Sequence, residues 1–108
     1  MANSRIVNTP SQAIPQDGTT HKQRTVSSSA LDVVNWTLNG NTQHLFVQFT
    51  GADCRVTFDG ATDPTASLGF LYYAGAVAYW PRALALKAKA IRAGSTDCVI
   101  EAQELNFI

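Results

Sequence analysis

All ten aromatic residues of this 108-residue chain lie after residue 29. Residues 1–29 are rich in Ser, Thr, Asn, Gln and Pro, and Pro10 and Pro15 block any helix across them. Ile6, Val7, Ile14 and Val26 are the main apolar anchors there. Such a segment has too little apolar surface to build a core, so it is expected to stay disordered or to lie extended along another surface. The sequence therefore divides into an extended N-terminal arm, 1–29, and one small domain, 30–108.

Within the domain the dominant signal is alternation with a period of two. Leu31, Val33, Val34, Trp36 and Leu38 suggest a first strand, closed by a turn at Asn39-Gly40-Asn41. Leu45, Val47 and Phe49 alternate with Phe46, Gln48 and Thr50. After Gly51-Ala52-Asp53, Cys54, Val56 and Phe58 alternate with Arg55, Thr57 and Asp59. These two strands are expected to pair as a hairpin. Residues 59–67 read as a loop, marked by Gly60 and Asp63-Pro64, and 68–73 as an apolar run. Val77, Tyr79 and Trp80 suggest a strand ended by Pro81, followed by a helical turn or two over 82–87. Residues 89–93 and 98–103 flank Gly94-Ser95-Thr96-Asp97 and read as a final hairpin, leaving Leu105, Phe107 and Ile108 as an apolar end. Short strands separated by turns at near-regular spacing predict an all-β fold, a small antiparallel β-sandwich or jelly roll.

Charge and motifs narrow the function classes. Eight basic and eight acidic residues give a formal net charge of zero, which removes the electrostatic case for nucleic acid as a partner. Only 15% of residues are charged, and a sparsely charged neutral domain is poorly protected against self-association. No apolar stretch reaches the roughly 20 residues of a membrane helix, and residues 1–10 lack the apolar region of a signal peptide, so no membrane partner and cytoplasmic synthesis are expected.

Nucleophilic catalysis needs a nucleophile, a base and an orienting group. The two histidines, His21 and His44, lie far from either cysteine in sequence and read as surface residues, so no enzyme is expected. Cys54 and Cys98 fall at inward strand positions, which favours two buried thiols over a disulfide between neighbouring strands. Neither set has zinc spacing, and Asp59, Asp63 and Asp97 are explained by turn formation, so no metal or other cofactor is expected. The aromatic cluster of Phe70, Tyr72, Tyr73, Tyr79 and Trp80 reads mostly as core, with one or two members at an interface.

Residues 45–50, 54–60, the turn Tyr79-Trp80-Pro81-Arg82 and the closing stretch Ile91-Arg92-Ala93-Gly94-Ser95-Thr96-Asp97, followed by Val99 and Glu101, resemble a group of small bacteriophage virion proteins. The resemblance covers somewhat over half of the chain and rests on structural turns, so it carries no functional residues with it. It implies a β-sandwich or jelly roll that decorates or cements a capsid, or forms part of a tail or fibre. On that reading the chain resides on the virion, on the capsid surface. Its partners are the major capsid protein or other virion subunits, and it forms a homo-oligomer, most simply a trimer with closed symmetry. The expected partner-binding residues are Ile6, Val7, Ile14, Tyr72, Tyr73 and Trp80. The alternatives are a tail, fibre or receptor-binding component, and a soluble ligand- or carbohydrate-binding module whose pocket is lined by residues 70–80.

Overall fold

A computed structural model of the protein describes residues 13–107. Nine strands and one short helix follow in the order β1 (Ala13–Pro15), β2 (His21–Val26), β3 (Leu31–Asp32), β4 (His44–Thr50), β5 (Cys54–Thr57), β6 (Phe70–Tyr72), β7 (Val77–Pro81), α1 (Arg82–Ala85), β8 (Lys89–Arg92) and β9 (Cys98–Phe107). They form two antiparallel sheets. In one, β9 is flanked by β4 and β7 on one side and by both β1 and β2 on the other; the second runs β3-β8-β5-β6.

The pairing is nested. β2 pairs with β9, β3 with β8, β4 with β7 and β5 with β6. The chain is thus one long antiparallel ribbon folded at the 58–69 loop and wound so that successive pairs alternate between sheets. That is the strand plan of an eight-stranded jelly roll, with β1 added at one edge. The expected all-β sandwich is the observed fold.

Alternation explains which side chains meet between the sheets. Leu45, Val47 and Phe49 of β4, Cys54 and Val56 of β5, Ala90 of β8 and Cys98, Ile100 and Ala102 of β9 are all buried. Removing this apolar surface from water is the main stabilising term for so small a domain.

Four expectations are corrected by the topology. The β4 and β5 strands are where the alternation puts them, yet they do not pair: β4 lies in one sheet and β5 in the other. The same holds for β8 and β9. Both connections cross between sheets because each flanking strand buries its inward face from the opposite side of one core. Neither connection carries the two-residue Asn-Gly type turn that closes a tight hairpin. The region 31–38 forms only the two-residue β3, and 33–43 is irregular. Finally, residues 13–26 of the expected arm belong to the sandwich. β2 pairs with β9 over six positions and Val26 is fully buried, because the long β9 offers a free edge along its whole length.

The connections separate into two ends. Residues 27–30, 51–53, 73–76 and 93–97 make short crossovers at one end, where the Ala93 amide donates to the Asp53 carbonyl at 3.0 Å. At the opposite end lie the longer 33–43, 58–69 and 82–88 segments. The irregular 33–43 segment is pinned by Glu104 of β9, whose side chain is almost wholly buried. Its carboxylate accepts hydrogen bonds from the Trp36 indole (3.1 Å), the Asn39 amide (2.8 Å) and the Thr42 hydroxyl (2.6 Å). A buried carboxylate persists only with such partners. Arg82 closes the same end from the other side, donating to the Asn39 and Thr42 carbonyls.

Candidate functional site

β6 ends the short sheet and β7 ends the long one, and the four residues 73–76 join them. Among the described residues both edges are unpaired, and they adjoin. The gap between them is plugged by four rings. Phe49 stacks on Tyr72 at 4.4 Å, and Trp80 meets Phe58 edge-on at 5.2 Å and Tyr72 at 6.2 Å. These geometries are favourable for aromatic pairs and keep water out of the open side of the sandwich.

Outside this plug the same two strands and their flanks display apolar side chains to solvent. Phe70 is 67% exposed and Tyr73 65%, with Leu68, Val77 and Tyr79 about half exposed. Tyr79 lies on Phe46, ring centroids 4.9 Å apart. Phe70 leans on Phe58 at 5.9 Å, and with Thr57, Asp59, Leu68 and Gly69 they line an open, mainly apolar groove of about 520 Å³. An edge strand also leaves a row of backbone donors and acceptors unpaired, so this side of the molecule offers both apolar area and hydrogen-bonding groups.

The groove is held in shape by its loop. Arg55 donates to the carbonyls of Ala66 (3.1 Å) and Gly69 (2.9 Å). Asp59 Oδ1 accepts from the amides of Ala61 and Thr62, and Asp59 Oδ2 from the Thr62 hydroxyl. Those bonds favour the ionised form and lower the Asp59 pKa to about 2. Gly69 has φ +125°, and a Cβ there would lie 3.2 Å from the backbone N and O of Val56, so only glycine lets β6 approach β5.

The residues expected to bind a partner are dispersed. Ile6 and Val7 lie outside the described residues. Ile14 sits on β1, partly exposed, at the far edge of the long sheet. Tyr73 is on the exposed aromatic edge. Tyr72 is half-buried under Phe49, and Trp80 is 2% exposed, so Trp80 is corrected from contact residue to core residue. Phe70, read above as a member of the aromatic cluster, and Leu68 and Val77 are exposed residues outside the expected partner-binding set. Their exposure follows from β6 and β7 being edge strands, which only the pairing reveals.

Elsewhere several charged side chains are paired. His21 Nε2 lies 2.8 Å from Glu101 Oε1, and Gln23 donates to Glu101 Oε2 at 2.6 Å; together, Gln23 foremost, they hold the Glu101 carboxyl below its ordinary pKa. Arg92 pairs with Asp97 at 2.6 Å and Lys89 with Asp32 at 3.0 Å. Both histidines are at the long-loop end of their strands, whereas both cysteines are at the short-loop end. Among the described residues no group of three or more His, Cys, Asp or Glu converges as a metal site, and no helix is long and apolar enough to cross a membrane. Compared with known proteins, the chain matches no family model, no curated protein and no solved structure.

Proposed function

We propose that this chain is a structural protein of a phage virion, a decorating or cementing subunit that seats its aromatic edge against the shell. The observation that carries this reading is the apolar edge of β6 and β7, unpaired among the described residues, on a chain with no net charge. Contacts of this kind bury aromatic anchors and complete an open strand edge, giving affinity without any reacting group. The neutral surface fits a partner of protein rather than nucleic acid. A closed trimer would repeat the contact around a symmetry axis of the shell.

The segment expected to lie along a partner's surface is narrowed to the residues before β1, because 13–15 and 21–26 pair with β9. Removal of residues 1–12, which spares β2, is therefore the appropriate truncation. The test is co-sedimentation of full-length and truncated protein with preformed particles lacking this subunit. Saturable binding to shells, weakened by the truncation, is the expected result; no binding of the full chain to shells would refute the proposal.

A second reading, a carbohydrate-binding module of a tail or fibre, is favoured by one feature. The groove places Phe58 and Phe70 beside the hydroxyls of Thr57 and Thr62, a combination of ring face and polar rim suited to sugars. Glycan-array binding lost on Phe70→Ala, with no binding to shells, would select it.

A further inference from the structure

Two chemistry-bearing side chains remain unused by this reading. Cys54 opens β5 in the short sheet and Cys98 opens β9 in the long one, and both are free and fully buried. They reach the interior from opposite sheets at the same end of the sandwich. There the two crossovers that precede them touch. The residue before Cys54, Asp53, accepts from the Ala93 amide at 3.0 Å, and a Cβ on Gly51 would lie 3.6 Å from the carbonyl oxygen of Asp97, the residue before Cys98. The sheets are drawn together at this corner.

We propose that Cys54 and Cys98 form a redox modification site, a dithiol that closes into a cross-sheet disulfide when the protein meets oxidising surroundings. The Cys54 thiol donates to the Arg55 carbonyl at 3.8 Å, and Cys98 faces the same core from the opposite sheet. The neighbouring Cys98 thiol, with burial, pushes the Cys54 thiol up, while the neighbouring Cys54 thiol and the Thr50 backbone lower Cys98. The first proton therefore leaves the Cys98 side and the thiolate is stabilised by the neighbouring S–H.

The oxidant is a small-molecule disulfide of the glutathione class, admitted by local opening of the corner. The Cys98 thiolate attacks one of its sulfurs and expels a small thiolate, leaving a mixed disulfide on Cys98. The Cys54 thiolate then attacks the Cys98 sulfur and expels the second small thiolate. One S–S bond breaks for the one retained in the protein. The protein gives up two electrons and two protons, and the small disulfide is reduced to two thiols. Disulfides persist outside reducing compartments, so the staple is set after the protein leaves one. It ties the two sheets directly and constrains the unfolded chain between residues 54 and 98.

The experiment treats the folded full-length protein with oxidised glutathione in the absence of denaturant. Intact mass and thiol counting after denaturation then read the product. The expected result is loss of two hydrogens, no titratable thiol, no intermolecular dimer, and a Tm higher by roughly 10–20 °C that dithiothreitol reverses. Cys54→Ser and Cys98→Ser should each abolish the Tm rise. Retention of both thiols, a stable glutathione adduct, a disulfide-linked dimer, or closure only after unfolding would each overturn the proposal. If a serine variant does not fold, the mass and thiol count of the unaltered chain decide the matter alone.

Discussion

The two sheets of the sandwich differ in how completely they are zipped. In the long sheet β9 runs ten residues through the middle and β4 seven, and β2 covers six positions of the outer edge. In the short sheet no strand exceeds four residues, and its edges are the two-residue β3 and the three-residue β6. The long sheet thus holds the molecule together, and the short sheet, with the adjoining edge of β7, leaves aromatic surface and backbone groups available. The extended strand pairing and the exposed apolar surface lie in different parts of one small domain.

The sharpest way to break this contrast is to compare Phe49 with Phe70. Phe49→Ala removes a fully buried ring from β4 and should cost about 3–5 kcal/mol in urea unfolding. A loss under about 1 kcal/mol would show that the plug does not hold the sheets. Next in size is Glu104→Ala, which strips the acceptor from the Trp36 indole, the Asn39 amide and the Thr42 hydroxyl together. It should cost about 2–4 kcal/mol and release the 33–43 segment to hydrogen exchange, with Glu104→Gln milder.

Gly69→Ala sharpens the comparison from the short-sheet side. The strained φ and the close approach to Val56 should cost about 1–3 kcal/mol, with amide exchange rising first in β5 and β6 while β9 stays protected. Phe70→Ser, at a mostly exposed position, should change stability by no more than about 0.5 kcal/mol. The smallest effect concerns pH. Asp59 is more acidic in the fold, about 2 against an ordinary 3.8, so its contribution is present above 3.8 and is lost as pH falls toward 2. A carbon-detected titration of its carboxyl should show a midpoint near 2, moved part of the way toward 3.8 by Thr62→Ala, which removes the hydroxyl donor and keeps the two amides; a midpoint near 3.8 in the unaltered protein would remove the loop-locking role.

Strand positions were legible because alternation is local: Cys54, Val56 and Phe58, or Cys98, Ile100 and Ala102, report an inward face wherever their partners are. Pairing was not. A short link such as Gly51-Ala52-Asp53 looks the same whether the chain turns back beside itself or steps across to the facing sheet, and the deciding contacts lie far away in sequence. The inner half of the arm is hidden for the same reason: His21–Val26 carries a single apolar residue, Val26, and only pairing with the edge of β9 makes it a strand. In the candidate site the aromatic cluster is legible as a cluster. Which rings are buried and which exposed depends on β6 and β7 ending their sheets, so the sequence does not separate buried Trp80 from exposed Phe70.

The most direct test of the docking claim is the affinity for particles lacking this subunit of a Phe70→Ser/Tyr73→Ser variant, alongside the unaltered chain. The account predicts an unchanged fold by circular dichroism and unfolding, together with at least a tenfold loss of binding, as expected for truncating aromatic anchors at a contact. Undiminished, saturable binding by the well-folded variant would contradict it and move the contact away from the β6–β7 edge.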